Sequence, residues 1–199
     1  MNARRGLLWG ILVAVLLVVA AAALVQQLRR PDSPPVLGQV PEFTLTNRDG
    51  RTVHLSDLAG APWIADFIFT RCPASCPIMT ARMSKLERDL PPDLGVRFVS
   101  FTVDPDHDTP EVLQKYAASF KVPDRWLFLT GDKDQLYRLS KEGFKLGVMI
   151  NPEPNTLEPI LHSTRFVLVD GEGRIRGYYD GFDEESVKKL ERDLAAITG

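Results

Sequence analysis

The sequence predicts an α/β domain, a mixed central sheet with helices on both faces, preceded by one apolar helix. Three observations predict it. Strand-like and helix-like runs alternate through the middle of the chain, hairpin patterns stand at each end of that stretch, and a closing amphipathic helix follows the second hairpin. Alternation lays parallel strands side by side under helical cover, while hairpins add antiparallel strands to the edges.

The apolar helix comes first. Leu7 to Val25 is nineteen residues without a charge, between Arg4-Arg5 and Gln26-Gln27-Leu28-Arg29-Arg30. At helical rise it reaches roughly 28 Å, close to the hydrocarbon core of a bilayer. The core of a cleaved signal runs only about 7–15 residues. Ala20 to Ala23 do offer small residues to a signal peptidase, but the length favours a retained transmembrane helix. The predicted organisation is a membrane anchor over 1–30 with its helix at 7–25, a proline-bearing spacer over 31–40, and a folded domain over 41–199.

Arginines flank the helix on both sides, so the positive-inside rule gives only a slight preference for a cytoplasmic amino terminus. After residue 30 the chain holds all 26 acidic residues against 20 basic ones, a balance of −6. That weighs against nucleic acid or anionic lipid as partner of the domain. A small tethered domain with one cysteine pair fits the periplasmic or extracytoplasmic side of a cell membrane, where disulfides persist.

Within the domain, Phe43-Thr44-Leu45-Thr46 and Thr52-Val53-His54-Leu55 flank Asn47-Arg48-Asp49-Gly50, which predicts a hairpin. Ser56-Asp57-Leu58 begins a short helical turn. Trp63 to Phe69 is apolar and aromatic, a strand; Ile78 to Leu90 is a helix ended by Pro91 and Pro92. Val96 to Val103, β-branched and aromatic, is the next strand. After the loop Asp104-Pro105-Asp106-His107-Asp108, Thr109 caps a helix with Pro110 at its first position, lasting to about Phe120. A strand at Trp126–Thr130, a helix at Asp132–Lys141 and a strand at Lys145–Ile150 follow. Residues 151–161 hold Pro152, Pro154 and Pro159 and read as loop. Arg165–Val169 and Arg174–Tyr179 form the second hairpin. Asp183–Ile197 closes the chain, with Val187, Leu190, Leu194 and Ile197 at helical spacing.

Cys72 and Cys76, the only cysteines, lie in Thr70-Arg71-Cys72-Pro73-Ala74-Ser75-Cys76-Pro77, between a strand and a helix. Thioredoxin-like architectures carry a redox pair at such a turn. Proline favours the first helical position, so Pro77 places Cys76 at or beside the N-cap. There free N–H groups and the helix dipole lower the pKa of nearby thiols. The three-residue spacer, one longer than the thioredoxin type, tolerates either a disulfide or two thiolates on one metal ion. A purely structural disulfide gains little by closing so short a loop. Zinc asks for four ligands, which two cysteines and three histidines have to supply between them.

Among those histidines, His54 alternates with Val53 and Leu55 as a plain sheet residue. His107, among Asp104, Asp106 and Asp108, belongs to a solvated loop. His162, placed by the proline-rich loop at a strand entrance, is the best third ligand. Two thiolates and one imidazole make a soft set suited to copper, above all Cu(I), which accepts three ligands. Met79 and Met83, one and two turns beyond Cys76, read as core fillers.

These residues resemble the Sco/SenC family, copper chaperones of cytochrome c oxidase assembly. The resemblance covers most of 37–198 and the single anchor. It rests on Phe69-Thr70-Arg71-Cys72-Pro73-Ala74-Ser75-Cys76-Pro77 with Val103-Asp104-Pro105-Asp106-His107-Asp108-Thr109-Pro110, then Leu127-Phe128-Leu129-Thr130-Gly131 and His162-Ser163. It implies a thioredoxin-like fold and one copper ion, Cu(I) or Cu(II), on Cys72, Cys76 and His162. By the same resemblance Asp104 or Asp108 supports the site from outside, as carboxylates do for metal-bound histidines. Two positions depart from the family: Ala74 and Leu161 stand where aspartates are common, and both changes remove negative charge near the metal.

The leading expectation is a membrane-tethered metallochaperone that delivers copper to the copper-site subunit of cytochrome c oxidase, other copper chaperones or thiol–disulfide proteins being further partners. The alternative is a thiol–disulfide oxidoreductase acting on exported or oxidase cysteines, with Cys72 as the attacking thiol at an exposed strand end and Cys76 resolving. A peroxidase reading has only Thr70, two residues before Cys72, in its favour.

Overall fold

An eight-stranded sheet organises the chain from residue 34 onward in the computed structural model, which describes residues 2–28, 33–150 and 160–198. The chain divides into two units, Met1–Ser33 and Pro34–Gly199. The first is helix α1, Asn2–Leu28. Its described side chains, residues 8–21, are exposed, Leu8, Trp9, Leu16, Leu17 and Val18 among them. Among the described residues no helix is long and apolar enough to cross a membrane.

The second unit runs β1 (Gly38–Gln39), β2 (Thr44–Asn47), β3 (Thr52–His54), β4 (Trp63–Ile68), α2 (Ser75–Asp89), β5 (Arg97–Thr102), α3 (Pro110–Ser119) and β6 (Trp126–Thr130). It continues with α4 (Lys133–Arg138), β7 (Val148–Ile150), β8 (Ile160–His162), β9 (Arg165–Val169), β10 (Arg174–Asp180) and α5 (Glu184–Thr198). The strand order is β1-β10-β9-β4-β5-β6-β2-β3. β4, β5 and β6 are parallel, and the hairpins β2–β3 and β9–β10 attach antiparallel on either side. β7 and β8 form a separate two-stranded ribbon. This arrangement fits the thioredoxin-like fold expected.

Alternation along the strands sorts the core into two layers. On one face Trp63, Phe67 and Phe101 gather with Phe43 and Phe144 at ring separations of 5.2–6.4 Å. On the other, Ile64, Asp66 and Ile68 of β4 stand opposite Phe98, Ser100 and Thr102 of β5. The Trp126 indole N–H donates to Ser100, and Tyr116 of α3 packs on Phe128, so α3 covers this second face.

Several boundaries differ from the sequence reading, each for a local reason. Gly38–Gln39, inside the expected spacer, pairs with Ile175 and Arg174 and becomes an edge strand. The helix after β6 is shorter than expected: Leu139–Gly143 widens into a π turn in which the Phe144 N–H reaches the Leu139 carbonyl, and Phe144 enters the aromatic layer. Thr109 caps α3 as expected, its hydroxyl accepting from the Val112 N–H. Of the proline-rich stretch, 151–159 lies outside the described residues, whereas Ile160 and Leu161 belong to β8.

Candidate metal and thiol centre

β4 ends at Ile68, and the chain turns through Thr70 and Arg71 into Cys72 before α2 begins at Ser75. Cys76 therefore sits inside the first helical turn rather than at the N-cap, which Ala74 occupies without a side-chain cap. Pro77 tolerates this because the first-turn N–H groups have no partner within the helix in any case. The cap comes from a sulfur instead. The Cys76 N–H donates to Cys72 Sγ at 3.4 Å, and the Ser75 hydroxyl lies 3.2 Å from the same atom.

Both cysteines are free thiols and both are buried, Cys72 4% exposed and Cys76 fully enclosed. Cys72 is thus not the exposed strand-end thiol expected. Their environments push them apart. The side-chain hydrogen bond from Cys76 holds the Cys72 thiol far below the ordinary range, with His162, the Cys76 N–H and Ser75 adding to it. The same bond, from the donor's side, and then burial drive the Cys76 thiol upward. Burial and these hydrogen bonds favour the negative charge of the pair on Cys72 over Cys76. Cys76 Sγ also accepts from the Phe69 N–H at 3.4 Å.

His162 Nε2 stands 3.2 Å from Cys76 Sγ. The imidazole is held by β8, where His162 pairs with Val148 of β7, rather than by a loop. Its Nδ1 is 3.0 Å from the Ser163 carbonyl. A carbonyl only accepts, so Nδ1 carries a proton, and Nε2 faces the sulfurs. Phe69 packs edge-on against the ring at 5.5 Å. One ligand atom each from Cys72, Cys76 and His162 lies within 4.8 Å of the others, the only such group of three or more metal-ligating side chains among the described residues. Two sulfurs and one nitrogen suit a soft cation and lack the fourth ligand of structural zinc.

The other candidates fall elsewhere. His54 is exposed and bonds Thr44 on β2, and His107 is an exposed loop residue. Met79 and Met83 are fully buried in the core. Asp108 accepts from the Thr70 N–H at 3.1 Å and from the Thr70 and Thr102 hydroxyls. Asp104 accepts from Arg71 at 2.6 and 3.0 Å. Asp108 braces the backbone of the cysteine turn at Thr70 and Asp104 holds the Arg71 guanidinium; neither bonds the histidine, whose orienting partner is the Ser163 carbonyl. Pairing with Asp104 also leaves the peroxidase reading no free arginine at Arg71. The sequence reading missed Thr70, Arg71 and Ser75 as parts of the centre. It also missed Asp66, although an acid in the middle of the apolar run Trp63–Phe69 is a signal that sequence carries. A groove of about 560 Å³ between α2 and α5, lined by Arg82, Leu86 and Val187 among others, contains none of the three donors; the chemistry sits in packed structure.

A sequence profile described as SCO1/SenC matches residues 33–198. The chain belongs to the SCO1/SenC family. Among its SCO1/SenC relatives is the SCO1 protein homolog of Bacillus subtilis (strain 168), 35% identical over 167 residues that make up 82% of this chain and 85% of that one. The solved structure of BsSco, described as a member of the Sco family of cytochrome c oxidase assembly proteins, superposes with a TM-score of 0.71 at 33% identity, covering 85% of this chain and 98% of that one. Bradyrhizobium japonicum ScoI, solved with copper bound, gives 0.66 at 25% identity over 78% of this chain and 99% of that one. Ala74 is exposed at the N-cap of α2, and Leu161 lies in β8.

Proposed function

We propose that this SCO1/SenC chain binds one copper ion through Cys72, Cys76 and His162 and passes it to the copper-site subunit of cytochrome c oxidase. The observation that carries the reading is the 3.2 Å approach of His162 Nε2 to Cys76 Sγ across 86 residues of chain. The donor set fits the ion: two buried sulfurs and a half-buried imidazole match three-coordinate Cu(I). Bound copper supplies a soft Lewis-acidic centre that exchanges thiolate ligands. The chain's own residues present the Cys72 sulfur, keep water away from both sulfurs, and turn Nε2 toward them through the Nδ1 bond to the Ser163 carbonyl. Asp104 and Asp108 fix the turn from which the sulfurs project. In this reading the uncharged stretch 7–25, whose side chains are described only over 8–21, anchors the domain, and the domain faces the extracytoplasmic side, where an oxidase subunit can meet it.

The test is Cu(I) titration of the full-length chain against a competing chelator. One equivalent per chain is expected, with His162→Ala weakened at least tenfold. Equal, weak binding by both would remove the reading.

One observation favours thiol–disulfide exchange as a second activity. Cys72 is held ionised with Cys76 directly behind it, an attacking and a resolving thiol. That activity needs no imidazole ligand, so His162→Ala is expected to keep reduction of a protein disulfide while copper binding falls.

A further inference from the structure

Asp66 is fully enclosed at the middle of β4, and neither carboxylate oxygen has a hydrogen-bond partner among the described residues. The other deeply buried acids are all engaged: Asp108 by Thr70 and Thr102, Asp104 by Arg71, Asp170 by Arg174 and Arg176, Glu87 by Arg125. A buried acid without a partner costs several kcal/mol to keep ionised, and a core strand has no structural use for one.

Its place in the sheet gives it another use. Asp66 shares a face of the sheet with Ser100, under the helices, and its charge is felt by His162 of β8, Cys76 of α2 and Tyr116 of α3. Burial pushes its carboxyl up to about 7; the Ser100 hydroxyl, outside ordinary hydrogen-bond geometry, and His162 pull the other way without offsetting it. No hydrogen bond joins it to a ligand, so its influence is purely electrostatic.

We propose that Asp66 sets the oxidation-state preference of the copper held by Cys72, Cys76 and His162, contributing a negative charge behind the donors to Cu(II) and none to Cu(I). The inference rests on the copper reading above. Two thiolates and a neutral imidazole give a centre of charge −1 around Cu(I) and 0 around Cu(II). A buried anion opposes the first and not the second, and the opposition is strong where little water screens it. On reduction, one electron enters the copper and one proton from solvent enters the Asp66 carboxylate, so the enclosed charge is unchanged.

The experiment measures Cu(I) and Cu(II) affinities of the full-length chain by chelator competition, for wild type and Asp66→Asn. The ratio of Cu(II) to Cu(I) affinity is expected to fall about tenfold or more in the variant. A merely structural role weakens both ions alike; an unchanged ratio overturns the inference while leaving the copper reading standing. A wild type that binds neither ion removes the copper reading and this inference with it. Should the variant fail to fold, wild type decides alone. Infrared difference spectra of the Cu(II)-loaded chain, reduced with ascorbate, are expected to gain a protonated-carboxyl band. Its absence overturns the proposal.

Discussion

The Thr70 backbone N–H donates to the Asp108 carboxylate at 3.1 Å, joining the cysteine turn to a loop 38 residues away. The Thr70 and Thr102 hydroxyls donate to the same carboxylate, so a single side chain ties the end of β4 to the end of β5. Where the sulfurs stand is decided by that tie as much as by the cysteines.

Asp108→Ala removes the shared acceptor and leaves buried donors unpaired. The expected cost is about 1–3 kcal/mol of stability, with Cu(I) affinity lower by about 10–100-fold as the turn loosens. Denaturant midpoints and chelator competition on the same preparations check both numbers. Full affinity in a destabilised variant would separate the tie from the site.

Asp66 makes a prediction for the metal-free protein. Its folded pKa, about 7, lies above the unfolded value near 3.9. Between those values the folded state holds more protons than the unfolded one, so stability falls as pH rises through that window and levels off above it. From pH 5 to pH 8 the wild type is expected to lose on the order of 3 kcal/mol more than Asp66→Asn. Urea unfolding of both at the two pH values tests the sign; parallel profiles would show that the acid is ionised in the fold throughout.

The two thiols are expected to differ in reactivity. With Cys72 ionised and Cys76 protonated and wholly enclosed, iodoacetamide at pH 6 should label Cys72 at least tenfold faster. Peptide mass mapping reads the order. Preferential labelling of Cys76 would reverse the assignment of the attacking and resolving thiols.

The methionines of α2 are expected to be inert toward the metal. Met79 and Met83 are fully buried in the core, so Met79→Leu and Met83→Leu should each cost under about 1.5 kcal/mol and leave Cu(I) stoichiometry and affinity unchanged. A tenfold loss in either would make that sulfur a ligand.

Elements with short-range signals were legible in the sequence. The hairpins at Asn47–Gly50 and Asp170–Gly173 announce themselves by turn chemistry, and Thr109-Pro110 by its cap and first-turn proline. The three donors were legible because soft ligands are scarce in this chain. What was not legible depends on long-range pairing. No local pattern tells that Gly38–Gln39 will pair with β10, or that His162 will be carried by a partner strand ten or more residues earlier. Asp104 and Asp108 could be named from their motif, but only the fold shows that they grip Thr70 and Arg71 rather than the imidazole.

The bond that fixes the His162 ring runs to the carbonyl of the very next residue. A ring oriented by distant neighbours would lose its proton arrangement whenever its support shifted. This one has its orienting partner as its immediate neighbour in the chain, so the ring and the carbonyl that holds it keep company whatever the rest of the fold does.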